Sequence, residues 1–364
     1  MKIVLHGATD YGSSNYGDFL YGRLIYDFLK DRYPESDVVF YNPSDYFVKY
    51  INSGYKSLLR GNIGSATRAV YIPGGYFGEG HDASWKETAV QFKRFIPFGI
   101  KAVIRNKPYA IIGVGAGPNN NYFFKNAVRY VVKHASTVCV RDKESFEALE
   151  SLGCNNILCY ADPLLAFNIE GYDSIKSEQC KQIEEITKDK NNKIILIHFN
   201  HSKLAALKFG KALKEFIGEH PDYYPVVSAD QCFNNYQELL DIFETEYQSQ
   251  KYFYFHYDDP FEFGKLVSMV DFVLTCKLHV GVTAAMKGKA LLAAAVHPEK
   301  TSRFYKQINA TEHFLNLYDS SSKDIAQKMS ELGDRKIVIP QDVIDLAKEN
   351  LKKLENFIAN EIQI

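Results

Sequence analysis

The stretch Val270–Lys300, V-D-F-V-L-T-C-K-L-H-V-G-V-T-A-A-M-K-G-K-A-L-L-A-A-A-V-H-P-E-K, constrains the fold more tightly than any other part of the chain. Asp271–Thr275 is apolar and β-branched, as a short buried strand requires, and Ala290–Val296 is a second such run. Between them, Val280–Met286 is small and apolar, suited to a helix packed tightly on a sheet. Strand, helix, strand is the unit of a parallel α/β sheet. Lys277-Leu278-His279 then falls at the carboxyl end of the first strand. In open α/β sheets, ligands bind at that end and helix N-termini there accept anions. A cation, an imidazole and backbone N–H groups in one place suit proton transfer on an anionic substrate. A Lys-x-His is common; position gives this one its weight, and Lys300, just past the following strand, adds a second cation.

The same alternation runs from the beginning. Lys2–Leu5 reads as a strand, and Asp18 is expected to cap a helix to about Arg32, stopped by Pro34 before a strand at Asp37–Tyr41. The loop Ser13-Ser14-Asn15-Tyr16-Gly17-Asp18 carries more hydrogen-bonding groups than a turn needs, so Asn15 and Asp18 are ligand candidates as well as turn formers. Ala69–Ile72 is a strand running into Pro73-Gly74-Gly75-Tyr76-Phe77-Gly78-Glu79-Gly80-His81-Asp82. Paired glycines permit close backbone approach to a ligand, and the acidic and imidazole groups beyond suit a loop that receives an acceptor; a Gly-rich βα turn that holds no ligand is the competing account.

Tyr109–Pro118 ends in G-x-G-x-G-P, which is not the G-x-G-x-x-G dinucleotide fingerprint, and no acidic residue follows at ribose-binding distance. A nicotinamide enzyme is disfavoured, and no G-x-x-x-x-G-K-[ST] loop is present. Ser136–Val140 is a strand ending in Arg141-Asp142; Asp142 is expected to cap a helix over Lys143–Leu152, with Gly153 closing it. Arg141 thereby lands at a strand's carboxyl end, where a two-pronged guanidinium matches carboxylate or phosphate; a surface pair with Asp142 is the competing account. Ala161-Asp162-Pro163 is a strand end with a carboxylate and a rigid turn.

Gly171–Asn192 is polar and charged, and reads as a connection between two domains. A second α/β set begins at Lys193, with strands at Ile194–His198, Tyr224–Ser228 and Tyr252–His256 before the opening stretch. His198 and His201 follow the first of these; lone histidines more often satisfy a core or a turn, and both stay unassigned. Helices at Lys323–Leu332 and Asp342–Glu361 end the chain, the latter with an apolar beat that suits packing back toward the N-terminal domain. The expected division is 1–170, a connection at 171–192, 193–320, and C-terminal helices over 321–364. At 364 residues, two cores are the natural expectation.

Lys+Arg (43) and Asp+Glu (44) nearly cancel, so nothing in the overall balance points to nucleic acid or to an acidic membrane surface. Six cysteines without a C-x-x-C pair argue against a zinc site or disulfide framework and fit a reducing cytoplasm. Met1–Gly7 reads as a strand and turn, not a signal peptide, and no apolar run suggests a membrane span.

Taken in order, Asn15-Tyr-Gly-Asp18, Pro73-Gly-Gly75, Gly113-x-Gly-x-Gly-Pro118, Val140-Arg-Asp-x-x-Ser145 with Leu149 and Gly153, Ala161-Asp-Pro163, Leu278-His279 and Lys300 form a set. That set resembles the polysaccharide pyruvyl transferase family, over roughly residues 11 to 310. The resemblance implies two Rossmann-like domains in a GT-B-like arrangement, the first on the acceptor side and the second on the donor side. It implies transfer of pyruvate from phosphoenolpyruvate, as a ketal, to a hexose of a cell-surface glycan or its lipid- or nucleotide-linked precursor. No metal or cofactor is implied. Cytoplasmic location is expected, with peripheral membrane association left open.

Carried over by motif, the arginine of R-D-x-x-S is Arg141 and the histidine of R-L-H is His279; the arginine of R-L-H is replaced by Lys277, and Pro73 replaces a glycine. Arg141, Lys277 and His279 are the expected catalytic set, and with Lys300 they bind the donor. Asn15, Asp18, Gly75 and Tyr76 are the expected acceptor contacts. Two other readings use the same residues: a GT-B glycosyltransferase taking a nucleotide sugar, and a sugar-binding relative without catalysis.

Overall fold

The structure is a computed structural model that describes residues 1–10, 15–51, 60–79, 84–188, 192–231, 236–249 and 251–360. Within these residues the chain divides into two compact units. The first comprises 1–14, 18–167 and 341–364; the second comprises 15–17 and 168–340.

The first unit is built on β1 (Lys2–His6), β2 (Asp37–Tyr41), β3 (Arg60–Gly61), β4 (Arg68–Tyr71), β5 (Gly74–Phe77), β6 (Tyr109–Ala116), β7 (Thr137–Val140) and β8 (Leu158–Cys159). Their order is β3-β2-β1-β4-β6-β7-β8, with β5 pairing β6 beyond the end of β4. All pairings are parallel, and most connections carry an α-helix; a short 3-10 turn joins β3 to β4, and two residues join β4 to β5. The helices are α1 (Tyr16–Arg32), α2 (Asp45–Ile51), α3 (Trp85–Ile104), α4 (Tyr122–Lys133) and α5 (Lys143–Ser151). Strand β6 is buried along its whole length, as a central parallel strand covered on both faces must be. Its core packs Ile111 and Val114 with Val4, Ala69, Tyr71, Phe95, Phe98 and Val131.

The second unit holds α6 (Glu178–Lys188), β9 (Lys193–His198), α7 (Lys203–Glu219), β10 (Tyr223–Ser228), α8 (Tyr236–Tyr247) and β11 (Phe253–Phe255). It continues through α9 (Pro260–Met269), β12 (Phe272–Thr275), α10 (Leu278–Met286), β13 (Ala290–Ala295), α11 (Pro298–Gln307), β14 (Phe314–Asn316) and α12 (Ser322–Leu332). The sheet order β11-β10-β9-β12-β13-β14 is the doubly wound order 3-2-1-4-5-6. Alternate residues explain the two covered faces. Ile195, Ile197, Phe272, Leu274, Leu292 and Ala294 join one core cluster with α7, α8 and α12 side chains. A fully buried Leu or Phe of this kind contributes about 2 kcal/mol relative to exposure.

The last helix, α13 (Gln341–Ala359), belongs to the first unit. Its buried Asn350 donates to the Ala161 carbonyl (3.0 Å), Tyr33 Oη donates to the Glu355 carbonyl (3.2 Å), and Arg68 reaches the carbonyls of Phe357 and Asn360. The sequence-expected docking of this helix toward the N-terminal part is therefore a set of polar ties as well as an apolar face. The two C-terminal helices divide between the units, α12 with the second and α13 with the first. The polar stretch read as a connection contributes α6 to the second unit.

Asn350→Ala removes a fully buried donor from the Ala161 carbonyl and is expected to cost about 2 kcal/mol. Denaturant unfolding measures this, and proteolysis of α13 ahead of the remaining chain would accompany it.

Candidate active site

In the second unit the decisive place is the switch point of the sheet, between β9 and β12, where chain connections leave in opposite directions. His198 ends β9, Thr275 ends β12, and Cα registration pairs them. His198 is fully buried, with Nδ1 2.9 Å from Thr275 Oγ1 and Nε2 3.2 Å from Asp230 Oδ1. Asp230, just past β10, is itself fully buried and also faces Lys277 Nζ at 3.2 Å. Asn200 adopts positive φ, a conformation Asn tolerates, which tightens the turn after β9. Turned so that its nitrogen meets an acceptor and its oxygen a donor, its amide gives Nδ2 to Asp230 Oδ1 (2.9 Å) and takes Lys277 Nζ (3.1 Å). Burial by itself would raise the Asp230 carboxyl. Lys277 and His198 overcome that and hold it well below the usual carboxylate range.

Lys277 occupies the N-cap position of α10, and no side chain caps that helix end or places an acid in its first turn. His279 lies on the same turn, nearly buried, and its carbonyl accepts from Thr283 Oγ1 (3.0 Å). Residues 15–17, at the start of α1, group with this unit. The Tyr16 N–H donates to the Asp230 carbonyl (3.0 Å), and the Tyr16 ring meets Phe263 edge-on at 4.9 Å. Gly17 lies so near the imidazole that a Cβ there would fall 1.8 Å from His279 Nδ1. Only glycine fits beside that ring.

In the first unit, Arg141 follows β7 and is buried among polar groups. Its Nη1 donates to Tyr21 Oη (2.7 Å), which in turn donates to Asp162 Oδ2 (2.7 Å). Asp162 and Asp142 carboxylates lie 3.7 Å from the guanidinium. Burial opposes its charge, but Tyr21 and the two carboxylates outweigh that and hold it protonated beyond the ordinary arginine range. Asp142 caps α5 by accepting from the Ser145 N–H (2.7 Å), and Ser145 Oγ accepts from the Ala116 N–H (2.8 Å). R-D-x-x-S is thus a splint between the end of β6 and the start of α5. Gly75 and Gly115 flank Nη2: a Cβ at these positions would lie 4.0 and 3.1 Å from it.

A family model for polysaccharide pyruvyl transferases matches residues 15–298, from the Asn15 loop past β13. The chain belongs to the polysaccharide pyruvyl transferase family. No curated protein is similar enough in sequence to count as a relative. Among solved structures, the chain is similar to the UDP-GlcNAc 2-epimerase of Neisseria meningitidis bound to UDP-GlcNAc, at 12% identity and TM-score 0.64, covering 98% of this chain and 99% of that one. A putative UDP-N-acetylglucosamine 2-epimerase of Listeria monocytogenes gives 11% identity and TM-score 0.65, over 100% and 98%. Anabaena Alr3699/HepE in complex with UDP gives 13% and 0.53, over 98% and 99%. These likenesses show the fold: α/β, GT-B-like, with two Rossmann-like units.

Against the expectations from sequence, the pyruvyl transferase family residues Arg141, Lys277 and His279 all lie at carboxyl ends of parallel strands or on the helix turn that follows. Lys300 is half-buried in the first turn of α11, after β13. Gly75 is exposed in β5, beside Arg141. Two expectations need correction. Asp18 is the third residue of α1, too far along to be its N-cap; Asn15 precedes the helix and accepts the Gly17 N–H (3.0 Å). Tyr76 is a core residue: its ring stacks on Phe95, and its hydroxyl donates to the Pro73 carbonyl and accepts from the Ala8 N–H. His81 and Asp82 lie outside the described residues.

Asp230, His198, Asn200 and Tyr21 were not singled out from sequence. His198 and Asp230 each follow a strand, which was the available signal; that the strands are neighbours was not. Among the described residues, no three His, Cys, Asp or Glu side chains converge as metal ligands.

Asp230→Asn leaves Lys277 and His198 facing a neutral amide, and should destabilise by about 3 kcal/mol at neutral pH. Because the folded carboxyl sits below its unfolded value, its contribution is full above about pH 4 and is lost as pH falls further. The variant's acid limb of stability should accordingly be flatter than the wild type's in chemical denaturation across pH.

Proposed function

We propose that this transferase forms a pyruvate ketal on a hexose of a cell-surface polysaccharide or its precursor, taking pyruvate from phosphoenolpyruvate in the cytoplasm. The observation that carries this reading is the placement of Lys277 and His279 on the uncapped first turn of α10, at the switch point, in a chain of this family.

The chemistry requires a proton on the methylene carbon of the enol phosphate and attack by a sugar hydroxyl at the adjacent carbon. The C–O bond to phosphate breaks, and a second hydroxyl closes the ring. Two hydroxyl protons are released, one replacing that given to the methylene carbon and one leaving on phosphate, so the exchange balances without an oxidant or reductant. Imidazole is the side chain whose ordinary pKa suits such a donor, and His279 takes that role. Arg141, Lys277 and Lys300 neutralise the donor carboxylate and the departing phosphate. Asn15, Asp18 and Gly75 contact the acceptor.

His279→Ala should lower phosphate release in the presence of acceptor by at least about 100-fold while circular dichroism and melting stay near wild type. Turnover at the wild-type rate would remove His279 from the mechanism. Lys277→Arg should preserve or improve donor affinity, read as KM for phosphoenolpyruvate, since it keeps the charge and restores the two-pronged fit; a large rise would give the lysine a separate duty. The nucleotide-sugar reading separates by products: phosphate should be released from phosphoenolpyruvate in the presence of acceptor, and no UDP should be released from a panel of UDP-sugars.

A further inference from the structure

Helices α3 and α4 of the first unit precede β6 and β7 of the same parallel sheet, so they run in the same direction and begin at the carboxyl ends of the strands. They pack together, Gly99 against Val131. Their leading loops are tied as well: the Glu79 N–H donates to the Pro118 carbonyl (2.9 Å), and the Glu79 side chain takes the Asn121 N–H. The N-terminal turns are therefore neighbours.

Those turns expose what a protein normally hides. Trp85 is 73% exposed, Tyr122 67% and Phe123 79%, with Phe92, Ile104 and Tyr130 also open further along the helices. Trp85 and Phe92, seven apart, share a helix face, as do Phe123 and Tyr130. Elsewhere among the described residues, exposed apolar side chains such as Ile186, Tyr318 and Leu346 are scattered singly, which needs no explanation.

Charge decides what covers this face. The two helices carry seven basic residues and a single acid, Glu87, in a chain whose 43 Lys+Arg and 44 Asp+Glu otherwise nearly balance. Arg94 is committed to Asp10. Lys86 lies near the Trp85 ring at 6.0 Å and Lys125 near the Tyr122 ring at 5.7 Å, so cations and aromatics are interleaved. Lys125, Arg129 and Lys133 form a continuous stripe on α4. Trp, Tyr and Phe among lysines, with almost no acid, is the composition that settles at the headgroup level of an anionic bilayer. We propose that the α3–α4 face docks the enzyme on an anionic membrane surface, its exposed aromatics entering the headgroup layer. Arg141 and Gly75 lie toward the same carboxyl-end rim of this sheet, so docking would suit an acceptor carried on lipid. That use rests on the proposed reaction; the docking itself does not.

Trp85 is the chain's single tryptophan, so its fluorescence reports this face alone. With the full-length protein, vesicles of phosphatidylglycerol should shift Trp85 emission to shorter wavelength, and brominated acyl chains should quench it. Pure phosphatidylcholine vesicles should do neither, and raised salt should weaken the effect. The double variant Lys86→Glu, Lys93→Glu lies on exposed positions outside the catalytic set, and should lose at least about tenfold in vesicle partitioning. Its phosphate release with a water-soluble acceptor should be unchanged, which separates a failure of docking from a failure of the reaction scheme. Unaltered Trp85 emission at saturating phosphatidylglycerol overturns the proposal. So does a concentration-dependent blue shift without vesicles that tracks dimer formation, since the face would then be covered by a second copy.

Discussion

A carboxylate buried without solvent must be surrounded, and much of the second unit's candidate chemistry follows from how Asp230 is surrounded. His198 from β9, Lys277 from the β12–α10 junction and Asn200 from the turn after β9 all converge on it. Stripping water from such a charge costs several kcal/mol unless partners replace it. Each partner is thereby held where the carboxylate needs it. Lys277 in particular cannot swing into solvent without leaving Asp230 short of charge, so its ammonium is fixed before any ligand arrives. Because the Asp230 carbonyl also takes the Tyr16 N–H, one residue secures both the cation and the turn that sets Gly17 against His279.

Arg141 obeys the same rule with the signs exchanged. Tyr21, Asp142 and Asp162 allow a guanidinium to stay charged in the interior of the first unit. The neighbouring motif residues act on the backbone: Asp142 fixes the start of α5, and Ser145 ties it to the end of β6. Gly115 then leaves room beside Nη2, where a Cβ would come within 3.1 Å. Motif residues that look chemical in a sequence thus divide into one that carries charge and several that aim it.

This division explains what could be read in advance. The parallel strands, the Asp142 cap and the docking of α13 were legible because periodicity and caps are local, and each reports on residues a few positions apart. The Asp230–His198–Lys277 group was not, since its members are joined only by strand order. Tyr76 misled for a related reason: a tyrosine after two glycines reads as a loop side chain, but Gly74–Phe77 forms strand β5, and alternation turns Tyr76 inward. Asp18 misled because Asn15, three residues earlier, does the capping. Helices α3 and α4 went unassigned; Pro97 lies inside α3, and a proline within a run argues locally against a helix even where the helix continues through it.

The departure from the family's R-L-H pattern gains meaning from this arrangement. An ammonium has three donors; on Lys277, Asp230 and Asn200 face two of them. On the proposed reading a donor anion meets the one that remains. An arginine at this position would instead present a planar fork, able to hold Asp230 with one edge and a carboxylate or phosphate with the other. Lysine keeps the charge and gives up the second prong. The substitution therefore leaves Lys277 as a fixed positive charge, held by Asp230, at the head of the helix that carries the His279 imidazole.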